Sequence, residues 1–156
     1  MRTQAMRASG LALASVIALP AIGAAQLPIR HYTPGATSKV DVKRLCSAEF
    51  ATAVKPIAKW QREEALTRYG IRPDGYSGDV ERLIPVSLGG SNDPDNLFPF
   101  HASGEYTVGA MNQLAAHLHQ LVCDGKLPLK DAQDAFKKDW TRAYKQYLPS
   151  LSAPGH

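Results

Sequence analysis

Along the chain, apolar positions cluster into patterned stretches separated by polar, Gly- and Pro-containing segments, and the most informative stretch runs from Tyr76 to Phe100. Val80, Leu83, Ile84 and Val86 form a short apolar run, Gly89-Gly90 marks a turn, Ser91 to Asn96 is polar, and Leu97 to Phe100 is a second apolar run. Short apolar runs bounded by turn residues predict two strands around a loop. Behind them, Val108, Met111, Ala115, Leu118 and Val122 recur at three and four residues, which predicts a helix from Tyr106 to Cys123, ended by Asp124-Gly125. The core of the chain thus reads strand, loop, strand, helix.

Helical patterns flank this unit. Val42, Leu45, Phe50 and Val54 predict a helix over Asp41 to Val54, and Pro56 marks its boundary. A second helix is expected from Pro56 to Tyr69, with Ile57, Trp60, Ala65, Leu66 and Tyr69 apolar and Gly70 as its stop. The last runs from Leu127 to Leu148, with Leu129, Ala132, Phe136, Trp140, Ala143, Tyr144 and Tyr147 on one face. The expected fold class is α+β, mainly helical, in one domain over 41–148. Residues 26–40 form an extended lead-in lying over it, and 149–156 a loose tail.

The start of the chain has a different character. Arg2 and Arg7, an apolar run from Ala8 to Ala21, and the small residues Gly23-Ala24-Ala25 predict a signal peptide over 1–25. The expected mature chain of 131 residues suffices for one core. It contains no further apolar run long enough to span a membrane, and the expected location is periplasmic or secreted. Without the leader, 16 basic residues face 14 acidic ones, a small excess for a protein that would bind phosphates by charge alone. Lys55, Lys59, Arg62 and Arg68 give the second helix a basic side. It is read either as a solvated face or as a phosphate-contacting one, with Lys59 and Arg62 the candidate substrate contacts. Cys46 and Cys123 are the two cysteines. Export to an oxidising compartment predicts that they pair, in preference to serving as nucleophile or metal ligand.

The Tyr76 to Phe100 stretch resembles the core of HNH-type endonucleases, in particular a small exported bacterial branch. Its pattern reads Tyr-x-x-Asp-His-Leu-x-Pro-x-x-Leu-Gly-Gly-Ser-Asn-Asp-x-x-Asn-Leu-x-Pro. Leu83, Pro85, Leu88, Gly89, Gly90, Ser91, Asn92, Asp93, Asn96, Leu97 and Pro99 match it, while Glu81 and Arg82 stand where the family has Asp-His. The likeness extends through Thr33-Pro34-Gly35, Leu118-His119-Gln120-Leu121-Val122-Cys123, Ala132-Gln133 and Asp139-Trp140, and so covers roughly Thr33 to Tyr147. It implies a ββα-metal core with flanking helices, and metal-dependent hydrolysis of nucleic-acid phosphodiesters.

By that resemblance Glu81 and Asn96 fall at metal-holding positions for Mg²⁺ or a similar divalent ion, and Arg82 falls at the general-base position. A guanidinium stays protonated and offers no acceptor, so Arg82 is not competent as a base. Ala115-Ala116 also replaces a family Glu-Asn. His101, just after the second strand, is the candidate replacement base. His119 is read as a packed residue beside the apolar stripe, and at about 160 degrees from His117 around the helix the two histidines do not chelate one ion. Three readings result: a divergent nuclease-like protein with hydrolysis lost or impaired, a nuclease working through Glu81, Asn96 and His101 or a metal-bound hydroxide, and a non-enzymatic exported module with a protein partner.

Overall fold

A computed structural model describes residues 27–52 and 55–149. The expected signal peptide and all but the first residue of the expected tail lie outside the described residues. The elements are α1 (Val42–Leu45), α2 (Ala48–Thr52), α3 (Lys59–Arg68), β1 (Asp79–Arg82), β2 (Leu97–Phe100), α4 (Val108–Cys123) and α5 (Leu129–Tyr147). Single 3₁₀ turns at Val86–Leu88 and Pro94–Asn96 shape the loop between the strands. The fold is α+β, with helices around a two-stranded antiparallel sheet.

The strands pair with Asp79 opposite Phe100, Val80 opposite Pro99, Glu81 opposite Phe98 and Arg82 opposite Leu97. Side chains alternate between the faces of a strand, and the two faces meet different partners. Val80 and Leu97 pack with Ala65 and Leu66 of α3. Phe98 and Phe100 join the larger core with Met111, Leu114 and Leu118 of α4 and Phe136, Trp140 and Tyr144 of α5. The hairpin is therefore covered on both sides, which explains why all four residues of β2 are buried.

Two glycines make the loop compact. Gly89 has φ of 78°, a left-handed conformation that costs glycine little. At Gly90 a Cβ would stand 1.7 Å from the Ile84 carbonyl oxygen, so only a residue without a side chain fits. The lead-in closes over this loop: Ser38 N donates to Gly89 O (2.8 Å), Ser91 N to Ala36 O (3.1 Å) and Gly35 N to Asp95 O (2.8 Å). Buried Thr33 donates its hydroxyl to Leu97 O at 2.8 Å.

Three helical expectations need correction. The helix expected over Asp41 to Val54 is broken after Leu45, because side chains compete for its backbone. Ser47 Oγ donates to Arg44 O (2.8 Å) and accepts from Phe50 N (3.4 Å), ending α1 and starting α2, while Asp41 Oδ1 caps the start of α1 by accepting from Arg44 N (2.8 Å). α3 starts at Lys59 and not at Pro56, since Ala58 is extended and its N–H is satisfied by Gln61 Oε1 at 2.9 Å. Trp60 is 60% exposed; it sits about 120 to 140 degrees around the helix from buried Ala65 and Leu66. Lastly, α5 kinks at Asp139 (φ −172°, ψ 97°). Asp139 Oδ1 accepts from Thr141 N, Thr141 Oγ1 and Arg142 N at 3.0, 2.6 and 3.0 Å, which is how an N-cap begins a new helical segment.

Cys46, just after α1, is disulfide-bonded to Cys123 at the end of α4, as expected. No helix among the described residues is long and apolar enough to cross a membrane.

Candidate functional site

β1, the following turn and α4 enclose a cleft of about 460 Å³. Glu81 and Arg82 come from the strand, Pro85, Val86 and Ser87 from the turn, and Met111, Asn112, Ala115, Ala116 and His119 from α4. Glu81 and Arg82 thus line the same cleft as Ala115 and Ala116.

Strand alternation gives Glu81 and Arg82 different surroundings. Glu81 stands opposite Phe98, on the face that meets α4. Burial pushes its carboxyl above the usual range and nearby Asp79 adds to this, while Arg82 opposes it. Arg82 stands opposite Leu97, on the α3 face. Its Nε donates to Asn92 Oδ1 at 2.7 Å and its Nη2 to Lys55 O at 3.1 Å. Asn92 Nδ2 in turn donates to Lys55 O (3.1 Å) and Pro56 O (3.0 Å). Arg82 and Asn92 together fasten the approach to α3 onto the hairpin loop. Burial lowers the Arg82 pKa, yet a guanidinium keeps its proton at any pH where the chain folds.

Asn96, expected at a metal-holding position, is turned into the loop. It is fully buried, its Oδ1 accepts from Ile84 N (2.8 Å), and its Nδ2 donates to Ile84 O and Ser91 O (both 2.9 Å). It does not line the cleft. Its role here is to close the turn between the strands, where an unpaired backbone group would be costly.

His101 is exposed and follows Phe100 at the end of β2. Three residues beyond the partner of Glu81, it lies about 10 Å along the strand, its ring against Tyr76 at 6.3 Å. The structure does not bring it to Glu81. His119 is the imidazole that does reach the cleft. Helix spacing alone gave no sign of this, since the residue sits beside the buried stripe and only tertiary packing shows what it faces.

The basic side of α3 is largely used within the chain. Arg62 donates to Tyr76 O (3.2 Å) and Gly78 O (2.9 Å) with its guanidinium over the Tyr76 ring. Arg68 pairs with Asp95 and Glu64, and exposed Lys59 lies 3.5 Å from Glu63. Arg62 is therefore a brace leading into β1, and Lys59 is the solvated member of the expected substrate pair.

Of the two residues expected to hold a divalent ion, Glu81 lines the cleft and Asn96 does not. Among the described residues, the one group of three His, Cys, Asp or Glu side chains able to converge on an ion is Cys46, His119 and Cys123, and its sulfurs are joined to each other. Oxygen-preferring ions such as Mg²⁺ keep several waters and take one or two carboxylates, and Glu81 is the carboxylate that lines the cleft. Comparison of the chain with protein-family models, with curated proteins and with solved structures returned no match in any of the three.

Proposed function

We propose that the chain is a divergent HNH-like (ββα-metal) protein, exported to an oxidising compartment, in which metal-dependent phosphodiester hydrolysis is lost or impaired and the cleft is kept for binding. The observation that carries the reading is Arg82. At the position of the family's base, a cation without an acceptor is held by Asn92 and the Lys55 carbonyl, and it serves as a clamp between the hairpin loop and the segment leading into α3. The disulfide supports the oxidising location, and the strand, loop, strand, helix order supports the scaffold.

The ligand class that the resemblance implies is nucleic acid. Fluorescence anisotropy with labelled single- and double-stranded oligonucleotides, over a salt series and with denaturing gels of the same samples, tests it. The expected result is binding that weakens as salt rises, since phosphate contacts release counterions, with every oligonucleotide intact. Absence of binding at any salt overturns the nucleic-acid assignment in favour of an interaction module with a protein partner.

A further inference from the structure

The disulfide has a third neighbour. Cys46 Sγ, Cys123 Sγ and His119 Nε2 all lie within 4.8 Å of one another. His119 and Cys123 are four apart on α4, a spacing that stacks two side chains on one helix face, and Cys46 is held opposite them at a Cα–Cα distance of 5.7 Å. His119 Nε2 is 3.4 Å from Cys123 Sγ. A tetrahedral zinc ion with Zn–S of about 2.3 Å and Zn–N of about 2.0 Å sets its sulfur and nitrogen ligands about 3.5 Å apart. The ring thus already stands at that distance from Cys123 Sγ.

We propose that reduction of the Cys46–Cys123 bond converts it into a two-cysteine, one-histidine site for a thiophilic divalent cation of the zinc type, with the fourth tetrahedral position open. With a phosphine reductant, the phosphorus gives up two electrons and takes the oxygen of a water molecule, the S–S bond breaks, and the two protons of that water convert the sulfurs to thiols. The metal then displaces one proton from each thiol. Two thiolates balance the 2+ charge, so the site needs no further counter-ion. His119 binds through Nε2 as the neutral tautomer with its hydrogen on Nδ1, giving up the 3.4 Å contact with Leu45 O. In the oxidised chain both sulfurs are engaged and the site is closed. Because His119 also lines the cleft, the redox state of the pair decides whether a metal is carried at the cleft wall. This inference does not depend on the proposed function.

The test is titration of Co²⁺, a spectroscopic substitute for Zn²⁺, into anaerobic phosphine-reduced protein and into the oxidised protein. The expected result is one ion per reduced chain, with sulfur-to-metal absorption in the near ultraviolet and tetrahedral bands in the visible, displaced by Zn²⁺, and no such bands from the oxidised chain. Zn²⁺ is expected to raise the Tm of the reduced protein alone. His119→Ala, first shown to match the oxidised wild type in circular dichroism, is expected to weaken binding by at least about tenfold, the equivalent of about 1.4 kcal/mol. Substoichiometric binding by the reduced wild type, or equal affinity in His119→Ala, overturns the proposal. If reduction alone melts the helices, Zn²⁺ must restore the helical signal, and failure to do so overturns the proposal as well.

Discussion

Asn96 and Glu81 show how far a residue's role depends on the direction in which it is held. Asn96 matches a site position in sequence, but in the fold its amide satisfies three backbone groups of the Ile84 to Ser91 turn. Asn96→Ala leaves those groups buried and unpaired, and we expect a loss of about 3 kcal/mol in urea denaturation; an unchanged midpoint would contradict the structural role. Glu81 gives a pH signature. Its carboxyl holds its proton more tightly in the folded chain than in the unfolded one, so the group favours the fold below the unfolded value of about 4.3. Its ionisation opposes the fold as pH rises through the raised folded value. Glu81→Gln removes that opposition, and its Tm should exceed that of the wild type at pH 7 and lose the advantage below about pH 4. An advantage that grows on acidification would contradict this. That Arg82 offers no acceptor follows from the residue type alone. The residue type gives no hint of the Asn92 and Lys55 contacts, which join segments far apart in the chain.

Among the elements, those whose pattern is local were legible. β2 coincides with the apolar run at Leu97–Phe100, and α4 ends at Cys123 as expected but starts at Val108, where Thr107 Oγ1 accepts from Ala110 N at 3.1 Å. Those set by competition between side chains and backbone were not. The apolar face of α5 continues through Asp139 in sequence, which hides the break, yet the carboxylate there gathers three donors and starts a second segment. Asp139→Ala should lower stability by about 1 kcal/mol, as removal of an N-cap does, with Asp139→Asn retaining most of it. Equal losses in both variants, measured by chemical denaturation, would show that the kink depends on charge or packing and not on the cap. The break between α1 and α2 has the same origin in Ser47. Trp60 fell outside the buried face because positions five and six residues apart do not share one side of a helix.

For the molecule as a whole, the two cysteines tie the start of the domain to the end of α4 across 77 residues, a closure contributing about 4 kcal/mol in the chain-entropy view. The lead-in, the hairpin loop and α3 are joined by backbone and side-chain hydrogen bonds around Gly90, Asn92 and Asn96. The residues expected at the hydrolytic site are held apart: Asn96 closes the turn, His101 lies along the strand, and Ala115 and Ala116 bring methyl groups to the cleft. The most direct test of the central claim is incubation of purified, oxidised protein with supercoiled plasmid and with single-stranded RNA, in Mg²⁺, Mn²⁺, Ni²⁺ and Zn²⁺ in turn and with a chelator control. Both substrates are expected to remain intact under every metal. Metal-dependent cutting that follows the protein through purification and disappears with the chelator would contradict it, and would move the search for the catalytic groups to Glu81 and His119.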